Sequence, residues 1–394
     1  MKIALNKDNC IRWLIGILVI VISGTAVYSV EQFTILRSVT LVALLGLLFY
    51  TFLKKRSFSN KKMVVFIFFA LLFCGLLILK SSGDLFGIVS KLFMVVMFTN
   101  YCCGNNNTYK LFEIIYKFVV VCAYSALFIW TLLFVFRVNL PYGFIGDGFY
   151  RSYFYIFFTQ DGYIENFGGF TFYRLQSIFW EPGVFAVYIL IALFYYAFLA
   201  KKRNSKNFLV LVVSLILTMS TTGLIVGISL LGVFLIKKLK SRIAKMMMIL
   251  PISLVSVPMA VYLWNEKKNS AISPSYRLRM YDMTRSIEIW KNNFILGTGY
   301  NNTTLFEIEG RYGNSNGFLN WCMTTGLVGL IAVILPFIVN CIWSKSKDRI
   351  IFIVFLALFV LMNFTEPLIQ TPIMILLVSF SYAAMLTRRG LSYE

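Results

Sequence analysis

Apolar runs separated by short basic clusters organise this chain from end to end. Runs long enough for the ~20 residues that cross a bilayer stand at 11–30, 33–53, 63–79, 85–103, 112–136, 184–200, 244–264 and 318–343. Two further runs have the wrong length for one crossing. The run 208–236 is flanked by Lys201, Lys202, Arg203 and Lys206 on one side and by Lys237, Lys238, Lys240, Arg242 and Lys245 on the other. Both flanks favour the cytoplasmic side, so the run crosses twice. Its turn falls at Ser220-Thr221-Thr222-Gly223, where hydroxyls and a glycine can cap exposed backbone. The run 350–386 splits for the same reason at Thr365-Glu366-Pro367, between Lys345, Lys347 and Arg349 and the pair Arg388, Arg389. The pattern predicts an all-α polytopic membrane protein with about 12 transmembrane helices, both termini cytoplasmic.

Two large extracytoplasmic loops remain, and the expected organisation has five parts: transmembrane helices over 1–136, a first outer loop over 137–183, helices over 184–264, a second outer loop with an amphipathic helix over 265–317, and helices with a cytoplasmic tail over 318–394. Outer loops of that length, rich in aromatics and arginine, are where function is expected.

Composition narrows the chemistry. Hydrophobic residues make up 59% and charged residues 13%, against about 25% charged in soluble domains. The net charge of +21 is dealt out between apolar runs, which is membrane topology and not a nucleic-acid patch. The chain has no histidine, so imidazole zinc sites, haem ligation by histidine and triads with a histidine base are excluded. The seven cysteines form no Cys-x-x-Cys pair and read as packing residues. The first run lacks a small-x-small exit and reads as a first transmembrane helix, not a cleaved signal. No nucleotide-binding loop or acidic metal motif stands in a cytoplasmic loop, which argues against an ATP-driven pump.

Three stretches can carry chemistry. Arg174-Leu-Gln-Ser-Ile-Phe-Trp-Glu181-Pro182-Gly183 ends the first outer loop. Pro182 marks a helix start, which puts Glu181 at a dipole-positive end, with Arg174 near enough to pair with it or to share a ligand. In the second loop, Ser273-Pro274 opens a helix to about Asn292. At about 100° per residue, Met280, Met283, Ile287 and Trp290 share an apolar face turned to the membrane, while Arg277, Tyr281, Arg285 and Glu288 share another and Arg279 lies nearer the apolar one. Guanidinium forks suit phosphate oxygens, and a lipid-linked diphosphate is the candidate ligand. The alternative is an amphipathic helix held to anionic lipid. Gly297-Thr298-Gly299 reads as a simple loop. Arg311, Asn314 and Asn316 then lead into the next span, the asparagines as sugar ligands or as backbone caps. Within spans, Arg37, Lys91 and Lys117 are costly unless paired or near an interface.

The string from Arg174 to Gly183 resembles the arginine-to-Glu-Pro-Gly signature of bacterial O-antigen and capsule repeat-unit polymerases of the Wzy type. The stretch Arg277 to Asn302, followed by Asn316-Gly-Phe-Leu-Asn-Trp-Cys-Met-Thr-Thr-Gly326-Leu-Val-Gly329, resembles the half those polymerases share with O-antigen ligases, so the likeness covers roughly 170–335. It departs in two places: Ser315 stands where ligases carry a histidine, and Ser220-Thr221-Thr222-Gly223 lacks the arginine of the usual Ser-Arg turn. The resemblance implies a metal-independent, membrane-embedded (GT-C-like) glycosyltransferase without cofactor, at the outer face of the cytoplasmic membrane. It would transfer a growing glycan from undecaprenyl pyrophosphate to a newly flipped lipid-linked repeat unit. Arg174, Arg277, Arg279 and Arg285 would stabilise the leaving diphosphate and Glu181 would orient or deprotonate the acceptor. Tyr281, Glu288, Arg311, Asn314 and Asn316 would bind substrate. Membrane lipids, a flippase and a chain-length regulator are the implied partners. An O-antigen ligase and a lipid-linked oligosaccharide flippase or other transporter are the alternatives. Transporters usually place polar groups at mid-membrane between repeated halves, whereas this chain gathers them in outer loops.

Overall fold

The computed structural model describes residues 7–54, 61–80, 84–104, 107–161, 164–167, 170–238, 241, 274–300, 302 and 314–387. The crossing expected at 244–264 lies outside them. Helices α1 (Lys7–Gly24), α2 (Ala26–Ser29), α3 (Thr34–Lys54), α4 (Lys61–Leu79), α5 (Leu85–Cys102) and α6 (Asn107–Trp130) precede the long segment that ends at residue 181. After it come α7 (Pro182–Phe194), α8 (Ser205–Leu217), α9 (Thr221–Lys238), α10 (Pro274–Asn292), α11 (Gly317–Trp343), α12 (Ser346–Thr365) and α13 (Pro372–Thr387). Among the described residues, seven helical stretches are long and apolar enough to cross a membrane, and Ser205–Leu217, Thr221–Ile236 and Pro372–Thr387 are shorter apolar helices. The chain is a helical, polytopic membrane protein. The turns expected at 220–223 and 365–367 are where α8 gives way to α9 and α12 ends.

Two compact units divide the fold. One comprises residues 1–42 and 109–266, the other 43–108 and 267–394. The first is built on α7, whose residues are buried from Pro182 to Phe194. The second is built on α13, buried from Pro372 to Ser381. Both central helices open on a proline, which loses nothing at a first turn whose N–H has no intrahelical acceptor.

The run 11–30 is not one continuous span. Helix α1 stops at Gly24, and Thr25 forms an isolated antiparallel bridge with Phe179. The Ala26 N–H donates to the Ile178 carbonyl at 2.8 Å and the Trp180 N–H to the Gly24 carbonyl at 3.1 Å. The break follows from packing: a Cβ on Gly24 would lie 2.8 Å from the Tyr188 ring, 3.1 Å from Val184 and 3.2 Å from Phe179. The α1 exit is thus stitched to the segment entering α7.

Two small sheets, not expected from the helical pattern, form in the segment expected as the first outer loop. Strands β1 (Gly143–Ile145), β2 (Tyr150–Tyr153) and β3 (Phe157–Thr159) make an antiparallel meander with Phe144 opposite Arg151 and Arg151 opposite Thr159. Strands β4 (Ile164–Phe167) and β5 (Phe170–Tyr173) form a hairpin. One face of the meander, through Ile145, Tyr150 and Phe158, packs on Ala26 and Val30.

Helix α11, expected as one span over 318–343, is broken at Gly326, which adopts φ 65°, ψ −161°. The backbone of 293–299 fills the break. Thr298 and Gly299 donate N–H bonds to the carbonyls of Met323 and Thr324 at 2.9 and 3.0 Å. Leu327 and Val328 donate to Phe294 and Ile295 at 2.8 and 3.2 Å. A broken helix in a membrane protein must have its freed backbone groups satisfied from within, and here one loop does it.

Candidate functional site

In the first unit, Arg174 follows β5 directly and is fixed to the end of α8: its Nε donates to the Thr218 carbonyl at 2.8 Å, and the Leu175 N–H donates to the Leu217 carbonyl at 2.9 Å. A guanidinium at a helix C-terminus satisfies carbonyls with no intrahelical donor. The following turn holds Met219 at φ 49° and continues into Ser220, whose Oγ accepts from the Gly223 N–H at 3.2 Å. A Cβ on Gly223 would lie 2.8 Å from that of Ala186 in the second turn of α7. The structure therefore brings Arg174, the 218–223 turn and the start of α7 together. Glu181 caps α7 by backbone geometry while its carboxylate makes no cap bond. Nearby, burial first and then the Glu181 charge push the Tyr150 phenol up, and that phenol donates to the Trp180 carbonyl at 3.3 Å.

In the second unit, α10 spans the range its sequence implied, yet its buried side is different. Asp282, Ser286 and Ile289 are buried, whereas Met280, Met283, Ile287 and Trp290 are only half-buried. The reason is polar: Asp282 Oδ2 accepts from the Ser315 N–H at 2.9 Å and from the Ser315 Oγ at 2.6 Å, and Asn314 Nδ2 donates to the Ser286 Oγ at 2.6 Å. Ile289 packs on Met323 of α11. A buried carboxylate is tolerated only when hydrogen-bonded, and the 314–316 turn does that here.

Arg277, Tyr281 and Glu288 lie away from that buried side and are exposed, and Arg285, between the two, is half-buried. Arg285 Nη1 pairs with Glu288 Oε2 at 2.9 Å. Arg279 reaches the end of α12, donating to the Thr365 carbonyl at 3.0 Å and lying 3.8 Å from the buried Glu366 carboxylate. Asn316 is the N-cap of α11, its Oδ1 accepting from the Leu319 N–H at 2.9 Å, and Asn314 Oδ1 accepts from the Asn316 N–H at 2.8 Å. Both asparagines thus take the capping alternative. Arg311 lies outside the described residues.

Gly297-Thr298-Gly299 is more than a simple loop. The Gly297 N–H donates to the Asn293 carbonyl and those of Thr298 and Gly299 to carbonyls of α11, so the turn offers no backbone cradle for an anion. Beside it, Lys91 of α5 donates to the Tyr300 hydroxyl and, at 2.5 Å, to Gln370 Oε1, and the Tyr300 hydroxyl donates to the same oxygen at 2.9 Å. Lys80 Nζ donates to the Gly297 carbonyl at 3.3 Å. Of the other charges within spans, Lys117 pairs with Glu113 one turn away at 2.6 Å, and Arg37 lies 5.7 Å from the Tyr28 ring centroid. Sequence reasoning missed Asp282 and Glu366, the two carboxylates that fix α10 and Arg279. Glu366 had a signal, its place in an expected outer turn.

A family model described as O-antigen ligase matches residues 207–334, about a third of the chain, running from α8 to two thirds of the way along α11. Over that stretch, which contains Arg277, Arg279, Arg285 and the interlocked glycines, the chain is similar to membrane transferases of the O-antigen ligase and polymerase type. No curated protein and no solved structure matches it.

Proposed function

We propose that this protein is a polysaccharide polymerase. It joins repeat units carried on undecaprenyl pyrophosphate at the outer face of the cytoplasmic membrane, both termini being cytoplasmic. The observation that carries this reading is α10: a helix clamped on one side by Asp282 and Ser286 exposes Arg277 away from them and holds Arg285 half-buried between the two sides. Preorganised guanidiniums gain most where charge develops, and a diphosphate leaving group gathers charge in the transition state. Arg277 takes that role with Arg285, whose partner Glu288 holds it in place. Arg279 positions α10 against α12. In the first unit, Arg174 offers its planar fork from a fixed turn, and Glu181 orients or deprotonates the acceptor hydroxyl. Tyr281, on the arginine face, contacts the donor.

The family described by the matching model favours a second reading, a ligase using the same donor and a lipid A core acceptor. Ser315, where ligases carry histidine, disfavours it, since its N–H and hydroxyl are both committed to Asp282. Deleting the gene separates the two: a polymerase deletion leaves single repeat units attached to the core, and a ligase deletion leaves long chains stranded on the polyprenyl carrier. Restoring the gene with Arg174→Lys is expected to leave chains short, because lysine has no two-pronged contact. Full restoration of chain length would overturn the role of Arg174.

A further inference from the structure

The second face of the β1–β3 meander is buried at Tyr153, Phe157 and Thr159, and its β1 part has no role above. The first face is packed on Ala26 and Val30, whereas Phe144 is 61% exposed and Tyr142, one residue before β1, 47% exposed. Their rings meet edge to face at 5.4 Å between centroids. Arg151, opposite Phe144, holds its guanidinium 5.7 Å from the Tyr142 centroid and 5.9 Å from that of Tyr173. It pairs with Asp161 at 3.2 Å, the Asp161 side chain remaining 68% exposed. The Tyr173 hydroxyl donates to Asp161 Oδ1 at 2.9 Å. Burial, and then that bond, push the Tyr173 phenol up, so it stays a donor at neutral pH.

This arrangement puts two open aromatic faces beside an open carboxylate that its neighbours hold in one orientation. Lipid is a poor occupant, because an exposed Asp161–Arg151 pair beside the rings is costly to bury in hydrocarbon. A sugar ring has what the surface lacks. Its C–H face lies on an aromatic ring, and its rim of hydroxyls donates to a carboxylate, which is an acceptor only. We propose that Tyr142, Phe144, Arg151, Asp161 and Tyr173 form an oligosaccharide-binding platform that holds the glycan chain apart from its lipid diphosphate. The inference rests on the polymerase reading for the source of the glycan and on the meander alone for the site.

The test uses the full-length protein in lipid nanodiscs and, as probe, the cells' own surface polysaccharide released from its lipid by mild acid, with binding read by saturation-transfer NMR. Tyr142→Ala with Phe144→Ala is expected to weaken binding about tenfold or more and to shorten the chains made in cells, with the unfolding midpoint unchanged. Tyr155→Ala, equally aromatic and exposed but outside the platform, is expected to bind as the parent does. Parental affinity in the double variant overturns the platform, as does equal loss in Tyr155→Ala. Quenching of Phe144→Trp fluorescence by brominated lipid tails also overturns it, by putting the face in the bilayer. Should the protein bind the glycan here yet make no polymer from lipid-linked repeat units, the polymerase reading fails and the platform stands.

Discussion

Asp282 shows how a single buried side chain orients a helix. Replacing it with alanine strands the half-buried Ser315 N–H and hydroxyl that it accepts, and leaving such donors unsatisfied costs up to about 1–3 kcal/mol, the figure for full burial. Asp282→Ala is therefore expected to lower the unfolding midpoint in detergent, with Asp282→Asn, which keeps an acceptor oxygen, falling between it and the parent. An alanine variant as stable as the parent would contradict the clamp. A second residue-level expectation concerns the β2–β3 turn, where Phe154 and Tyr155 both sit at φ 55° while 57% and 72% exposed. Left-handed backbone at both positions favours Asn-Gly, and bulky residues there are strained. Phe154→Asn with Tyr155→Gly is expected to raise the unfolding midpoint, and a fall would show that the two rings make contacts worth more than the strain. The arginine face of α10 was legible from spacing because four polar residues share it. Its buried face was not, because an amphipathic pattern counts apolar groups, and the acceptor role of Asp282 depends on a serine 33 residues later.

The interlock of α11 with the 293–299 loop belongs to the scale of elements. A Cβ on Gly326 would run into the backbone of Ile295 and Gly297, and one on Gly297 into that of Thr324 and Thr325, both glycines having positive φ. Gly326→Ala is expected to cost more than the ~1–3 kcal/mol of backbone strain alone, since the neighbouring backbone cannot give way. Gly46→Ala in α3 meets nothing within 4 Å and is expected to be neutral or to stabilise by up to ~1 kcal/mol through helix propensity. Comparing yields and unfolding midpoints of the two checks this, and equal behaviour would contradict the interlock. Hydropathy runs unbroken through 318–343, so the break could not be seen there. The splits at 220–223 and 365–367 were visible because charge on both flanks fixed the side of each end. The sheets escaped notice for a different reason: strands of three or four residues, full of aromatics, resemble an interfacial belt more than an alternating pattern.

In the whole molecule, each unit has a cluster of polar groups at helix ends. In the first unit these are the ends of α1 and α8 and the start of α7. In the second they are the start of α11, the end of α12 and the side of α10. The helical, membrane-spanning class was therefore readable from hydropathy, while the partition into two units of interleaved sequence was not, since it depends on contacts between distant stretches. The central claim is that guanidiniums at these ends drive glycan transfer off a lipid diphosphate. The most direct test supplies the purified protein in lipid nanodiscs with undecaprenyl-pyrophosphate-linked repeat unit and a chelator, and follows products by mass spectrometry. The expected product is a ladder of lipid-linked glycans rising by one repeat unit, formed at least about a hundredfold more slowly by Arg277→Ala at an unchanged unfolding midpoint. A parent protein that forms no ladder, or an Arg277→Ala variant that forms it at the parental rate, would contradict it.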